Sequence, residues 1–505
     1  MKRKLFSCLA FAFGLAATAQ SSLLFNINKS GDSNPDQMFL FDGKIYFQAD
    51  TGDATSDYAG GNDIGDELWV LDPSDPNNPS LSYIDIVSGS DNSSPEYFFT
   101  LNNQLYFNQS VTNVPHVLNG TGDGADPVSG LVDASVGDLD DMVELNGVLY
   151  FINNASNKEL WQWDGTTNLA TRVPRANTNQ VESLDSFNSR TSYSTQYINV
   201  QAHNDKIYFT GNVSESGTDS YGVELYEYDP ATDLFTRLTD LPGDATDETS
   251  EESRIYNIVF YDNQIYFARR DTTAPGQFPV YLLYRTNGTT TEEVTSASNE
   301  STYIRPFCVW KNELYLGGED SNGFFQLYKY NASNNTTTQI STNTTKDHNP
   351  YRFVTPDDND DYLYYNGETD SSSSDNLHRT NGTTTEVLDE NVHLSWPAIK
   401  VGDILYFEGD NGSGDEIYKL DLNTLSVSDV KLKGITGVYP NPAKDFIMVD
   451  KTLVDAAYSI YDITGKVVKQ GVLKSQRLDF NLNTGLYIFK AQTDLGFFAQ
   501  KIIVK

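Results

Sequence analysis

The sequence is poor in cysteine, methionine, histidine and basic side chains, and each shortage closes off a class of protein. It holds 2 Cys, 4 Met and 5 His in 505 residues. Cys8 falls inside an N-terminal apolar run, so the processed chain keeps Cys308 alone and has no internal disulfide. Stability must therefore come from packing. Cys308 sits in R-P-F-C-V-W, where it reads as a small buried hydrophobe rather than a reactive thiol. His116, His203, His348, His378 and His393 show no metal spacing such as H-E-x-x-H, and His116 and His378 occupy an aromatic position of a strand. No nucleophile elbow, phosphate loop or dinucleotide fingerprint occurs. Long amphipathic helices are absent, and no run beyond the N-terminus is long enough to span a membrane as a helix. Lys and Arg number 34 against 70 Asp and Glu, a formal charge of −36, which repels phosphate backbones and argues against nucleic acid as a partner.

What is present is β-prone. Aromatics make up 12%, with 31 Tyr and 27 Phe, a bias that suits strands. Lys2, Arg3 and Lys4 precede the apolar run 5–17 and the small residues Ala17-Thr18-Ala19, the pattern of a signal peptide over residues 1–19. Acid and base are unevenly spread: residues 20–430 carry 20 basic and 64 acidic side chains, whereas residues 431–505 carry 11 and 6. An acidic body and a basic tail predict two domains. The bland reading of the acidity is solubility in a salty exterior.

The body repeats. An aliphatic-Tyr-aromatic core recurs at Tyr46, Tyr106, Tyr150, Tyr208, Tyr266, Tyr315, Tyr364 and Tyr406. A turn pair such as Asp42-Gly43 or Asn146-Gly147 precedes each core, the signal for a two-residue hairpin whose turn residues take positive φ. A third strand follows with a Glu-Leu-Trp flavour (Glu67-Leu68-Trp69, Glu159-Leu160-Trp161, Glu224-Leu225-Tyr226, Glu416-Ile417-Tyr418), then a second turn such as Asp164-Gly165 or Asn287-Gly288, then a fourth strand. Four strands per period of about 50 residues is the grammar of a propeller blade. The fold expected is all-β: a β-propeller of eight blades over 20–430, with seven as the alternative, a linker at 431–437, and a small β-sandwich over 438–505. Unit two is degenerate at Pro115-His116 and is expected to be irregular. The opening residues Leu23 to Ile27 have the pattern of a fourth strand and are expected to complete the last blade.

The stretch E-L-W-Q-W-D-G-T at 159–166 resembles the ELWxxDGT repeat family of secreted bacterial propellers. The tail combines Tyr439-Pro440-Asn441-Pro442, Asp462 with Gly465-Lys466, Gly485-Leu486-Tyr487 and a terminal Lys505, and resembles the type A sorting domain of the type IX secretion system of Bacteroidota. That resemblance implies recognition of the tail by the outer-membrane secretion machinery, its removal, and release of the body or its attachment to surface lipopolysaccharide. It identifies Tyr439, Pro440, Asn441, Pro442, Asp462, Gly465, Lys466, Gly485, Leu486, Tyr487 and Lys505 as the sorting motif.

Candidates for chemistry are few. Acidic turns at 357–361 and 410–416 offer oxygen ligands, but neither has the spacing of a twelve-residue calcium loop, so solvated turns are expected, with no catalytic, cofactor or metal residues and with calcium as the alternative. Asn119, Asn287 and Asn381 complete Asn-x-Thr triplets that the repeat's turns already explain. Two readings follow. One is an exported, non-catalytic binding propeller for a glycan or protein, with specificity in variable loops such as 48–66 and 177–195. The other is a propeller enzyme acting on extracellular polysaccharide, which requires convergent carboxylates with a histidine or arginine in one pocket.

Overall fold

A computed structural model describes residues 21–52, 56–132, 136, 139, 142–153, 159–165, 169–173, 183–184, 200–215, 219–241, 255–271, 280–298, 302–390, 392–394, 396–412, 414–425, 438–462, 466–493 and 496–505. The predicted signal, the linker, Gly465 and most of the loop 177–195 lie outside these. The chain divides into two compact units, one over Ser21–Leu420 and one that includes Asp421–Lys505.

The first unit is a β-propeller, built of antiparallel sheets that follow one another along the chain. The first sheet pairs Asp36–Phe41, Lys44–Asp50, Asp66–Asp72 and Ser80–Ile84 in that order. The same up-and-down order repeats in sheets whose inner strands are Pro95–Leu101, Met142–Leu145, Val200–His203, Ile255–Tyr261 and Thr302–Trp310. The sheet of Val200–His203 gains a fifth strand, Ser183–Leu184, paired with Lys206–Glu215. A seventh sheet holds Leu363–Gly367, Asn376–Thr380 and Thr385–Asp389. The eighth joins the two ends of the unit: Ile399–Val401, Ile404–Gly409 and Glu416–Asp421 are completed by Ser22–Phe25, with Leu23 opposite Tyr418 and Phe25 opposite Ile417.

The inner hairpins turn as their residues dictate. Asp42-Gly43, Asn102-Asn103, Asn146-Gly147, Asn204-Asp205, Asp262-Asn263 and Lys311-Asn312 all have both residues at φ between 46° and 79°, the twist that matches two right-handed strands. The expected irregularity falls elsewhere than predicted. The second sheet forms four strands, and the His116 ring takes the aromatic place by stacking on Phe107 at 5.8 Å. The seventh sheet is the short one. Its inner segment keeps only a bridge between Tyr351 and Asn366 and a bond from the Val354 amide to the Tyr364 carbonyl, 2.9 Å. Pro356 follows at once and has no amide to continue the ladder.

Cores lie between neighbouring sheets. Tyr46, Leu68 and Ile84 of the first meet Phe98, Leu105 and Phe107 of the second. Tyr150 and Leu160 of the third meet Ile207, Phe209 and Tyr228 of the fourth, and Tyr261 and Tyr266 of the fifth meet Leu314 and Tyr328 of the sixth. Closure of the ring uses the same device: Phe25, Tyr406 and Ile417 pack with Ile45, Phe47 and Trp69. Each large side chain buried this way contributes about 1.5–3 kcal/mol, which replaces the missing disulfides.

The Glu of the Glu-Leu-Trp strand has a role the pattern alone does not reveal. Glu67 is fully buried and accepts the Ile86 and Val87 amides, at 2.8 and 3.3 Å, and the Ser93 hydroxyl at 2.7 Å. It therefore ties down the chain where it crosses from the first sheet to the second. Glu224 takes the Leu241 amide at 2.8 Å and the Thr239 hydroxyl, and Gln326 takes the Ser341 hydroxyl and Asn343 amide at 2.7 and 3.2 Å. Glu416 accepts the Ile27 and Asn28 amides, at 2.7 and 3.1 Å, and the Ser33 hydroxyl at 2.8 Å. In the eighth sheet the same residue thus holds the N-terminal segment.

In the second unit Val467–Val472, Ala457–Asp462, Gly485–Thr493 and Gly496–Val504 form one sheet, and Phe446–Met448 pairs with Arg477–Asp479 in a second. Ile447, Leu453, Ile460, Phe489, Phe498 and Ile502 form a core of its own. This is a small β-sandwich.

Two stability predictions follow from the glutamates. Glu416→Ala leaves two backbone amides and a hydroxyl without their buried acceptor, at a cost of roughly 2–5 kcal/mol; an unchanged denaturation midpoint would refute the role. Burial pushes the Glu67 and Glu416 carboxyls up to about 7, against the backbone amides and serine hydroxyls that favour the charged form. A raised carboxyl stabilises fully below the ordinary carboxylate range, and that contribution is lost as pH rises through about 7. The melting temperature should therefore fall between pH 5 and pH 8, as read by circular dichroism.

Candidate functional site

Two places follow from residue type, the tail motif and the acidic turns, and the structure adds a third at the centre of the propeller. In the tail, Tyr439 bridges Met448 through mutual backbone bonds, and the residue is 55% exposed. Asn441 acts as a surrogate peptide group against the last strand. Its Nδ2 donates to the Lys501 carbonyl at 2.7 Å and its Oδ1 accepts the Ile503 amide at 2.8 Å. The Ala443 amide then donates to the Ile503 carbonyl, and the Lys505 amide to the Ala443 carbonyl, at 2.7 and 2.9 Å. The segment with Pro440 and Pro442, both after cis peptide bonds, thereby covers the edge of Gly496–Val504. Asp462 closes a hairpin, its Oδ1 accepting the Lys466 amide at 3.1 Å. Tyr487 is buried and donates to the Asn483 carbonyl at 2.9 Å, Gly485 sits against its ring, and Leu486 faces outward beside Ile503. The motif thus includes an edge cover, a turn and a core anchor of one sandwich.

The acidic turns are used by the fold. Asp410 Oδ1 accepts the Gly412 and Gly414 amides at 2.6 and 3.0 Å, and Glu416 is the buried acceptor described above. Asp357 accepts the Asn359 amide, Asp358 the Lys311 amide, and Asp360 pairs with Lys400. Among the described residues no three His, Cys, Asp or Glu side chains converge as metal ligands would. Asn287 and Asn381 hold their turns, each Oδ1 accepting two following threonine amides at 2.9–3.0 Å. His348 and His378 are buried against Tyr365, and burial lowers them to about 3 and about 4. Neither is placed for proton transfer near neutral pH.

The centre of the propeller holds a channel of about 720 Å³ lined from the inner strands of the first six sheets and by Phe353, Thr355 and Pro356 of the seventh. Its wall is mostly apolar, with Phe39, Phe98, Val143, Ala202, Phe260 and Val309 among its residues. Cys308 also lines it, and burial pushes its thiol well above the usual range.

At the end where the inner strands begin, a bulge repeats. Gln37, Tyr97, Asn257 and Arg352 have φ of 50–56°, each two residues before the position opposite a repeat tyrosine. Several inner strands reach across to the next one. Gln37 Oε1 accepts the Tyr97 amide at 2.7 Å, Gln201 Nε2 donates to the Ile258 carbonyl at 2.7 Å, and Asn257 Nδ2 to the Pro306 carbonyl at 3.1 Å. The Arg352 guanidinium lies over the Tyr351 and Trp396 rings.

Just before the bulge stand Asp36, Glu96, Tyr256 and Tyr351, equivalent by register. Burial pushes Asp36 up to about 7, with Asp66 and Glu96 adding to the rise while the Gln37 amide and Arg352 oppose it. Burial likewise raises Asp66 to about 6, against a 2.8 Å bond from the Ser94 hydroxyl. Oδ1 of Asp36 and of Asp66 is buried without a hydrogen-bond partner. The sequence reading missed this group, although Asn34-Pro35, Ser94-Pro95 and Asn349-Pro350 mark the three bulges of Gln37, Tyr97 and Arg352.

Residues 437–505 match the family model described as the secretion system C-terminal sorting domain. No curated protein matches the chain. Among solved structures, the β-propeller domain of the trilobed protease from Pyrococcus furiosus aligns at 10% identity and a TM-score of 0.37, covering 77% of this chain and 95% of that one. A Mycobacterium tuberculosis puromycin-hydrolyzing peptidase aligns at 8% and 0.41, covering 94% and 62%. The Pyrococcus horikoshii acylaminoacyl peptidase aligns at 10% and 0.37, covering 75% and 59%. This chain spans about three-fifths of the length of those two peptidases. Among the described residues no helix is long and apolar enough to cross a membrane. The tail marks this protein as cargo of the type IX secretion system, secreted or attached at the cell surface.

Proposed function

We propose that the body is an eight-bladed, non-catalytic binding propeller of the ELWxxDGT kind, which the tail delivers to the exterior and whose ligand enters the central channel. The observation that carries this reading is the apolar channel wall. A concave, largely apolar site with a few polar groups is what small-molecule binding requires. The tail is the part handled by the machinery through the motif Tyr439, Pro440, Asn441, Pro442, Asp462, Gly465, Lys466, Gly485, Leu486, Tyr487 and Lys505, after which the body is released or joined to surface lipopolysaccharide. Because the tail has a hydrophobic core of its own, deleting residues 438–505 should leave the body folded but hold it in the periplasm. Normal export of the truncated chain would sink the sorting role.

A second reading is favoured by the mouth where the inner strands begin. Asp36, raised to about 7 beside Asp66, Glu96 and Arg352, has the protonation a general acid needs near neutral pH. In that reading the propeller cleaves polysaccharide. A glycan array on the full exported chain, run with a reducing-sugar assay, separates the two. Binding without release of sugar ends supports the first. Release that Asp36→Asn lowers at least ~100-fold, in the range expected for loss of general-acid catalysis, supports the second.

A further inference from the structure

We infer that the turn-side half of the channel is a site for a small apolar molecule whose polar end is neutral or cationic. This rests on the binding reading above and adds the class of ligand. Val143, Ala202, Val259, Phe260 and Val309 are each half-buried, one side packed into an inter-sheet core and the other lining the channel. Each of these side chains already has a core to pack against and still presents apolar surface to the channel. Water in such a space finds few partners. The Gln201 amide is spent on the Ile258 carbonyl, and Glu144 Oε1 accepts the Gly147 amide at 2.6 Å. An apolar guest displaces that water favourably.

The entrance sets the sign of charge. A second cavity of about 490 Å³, lined by Leu40, Asp42 and Asn102, shares Thr100 and Glu144 with the channel. The channel therefore opens towards the inner hairpin turns, and Leu40 is 43% exposed there. Those turns carry the exposed carboxylates Asp42, Asp205, Asp262, Asp358 and Asp361. Among the described lysines at or next to those turns, Lys44 pairs with Asp72, Lys206 with Glu227 and Lys400 with Asp360, and Lys311 lies over the Trp310 ring at 4.4 Å. An apolar anion meets a repulsive rim before it reaches the wall, whereas a neutral or cationic guest does not.

A matched pair of probes tests both halves of the inference. N-phenyl-1-naphthylamine is neutral, and 1-anilinonaphthalene-8-sulfonate is the same skeleton with a sulfonate. The full exported chain should bind the first at one site and the second about tenfold more weakly at low salt, the gap closing as salt screens the rim. Val143→Phe and Val309→Phe, on different walls, should each weaken the neutral probe at least tenfold while the melting temperature stays put. Ala202→Leu is the milder filler should either fail to fold. Asp42→Asn with Asp262→Asn, in turns whose positive φ asparagine tolerates, should raise affinity for the sulfonate and leave the neutral probe unchanged. Absence of neutral-probe binding, insensitivity to every folded filler, or equal binding of the two probes at low salt overturns the inference. Should a glycan bind where the neutral probe does not, the ligand class falls and the binding reading survives. Failure of both ligands removes both.

Discussion

A buried side-chain oxygen that accepts backbone amides organises the body. Sheets in a ring must pass the chain from outer strand to inner strand of the next sheet, and that crossing leaves amides with no ladder to join. A side chain on the third strand supplies the acceptor in several sheets: Glu67, Glu224, Glu416 and, by amide oxygen, Gln326. Leaving such donors unsatisfied indoors costs more than the net worth of an ordinary hydrogen bond. Burying a carboxylate is itself costly, which is why Glu67 and Glu416 are held protonated up to about 7. The crossing between first and second sheets and the closure between eighth and first are one interaction used twice.

The channel is a consequence of that ring. Inner strands face one another around an axis, and the two ends of the channel inherit different chemistry from how those strands begin and end. They begin at bulges with positive φ at Gln37, Tyr97, Asn257 and Arg352, where Gln37 and Asn257 bond to the next strand and Arg352 lies over two rings. They end at two-residue turns whose demand for positive φ selects Asp, Asn and Gly, and so leaves a rim rich in carboxylate. The acidity of the body is thus partly a by-product of turn geometry with a consequence for what enters.

The tail is a separate solution to a separate problem. It has a hydrophobic core of its own and an excess of Lys and Arg, opposite in sign to the body. Its last strand is an edge, and an edge invites pairing with other chains. Asn441 and the proline-flanked segment cover it. Residues identified as a sorting motif therefore carry the sandwich's own architecture, whatever else reads them.

Much of this was legible because strands and turns are local. The pairs Asp42-Gly43 and Asn146-Gly147 specify their hairpins by φ alone, and alternation around Tyr46 or Tyr150 places one face in a core. The short seventh sheet was not foreseen, since Pro356 matters only once its amide is seen to be wanted by a neighbour. The staple role of Glu67 and Glu416 was invisible, because the amides they accept lie 19 to 20 and 388 to 389 residues away. The sequence by itself determined an all-β repeat, the turn types and the address written in the tail. Only the tertiary structure decided that Asp36, Asp66, Glu96 and Arg352 act on one another, and that Val143 and Cys308 line a common channel, because closing a ring brings together inner strands that no local pattern connects.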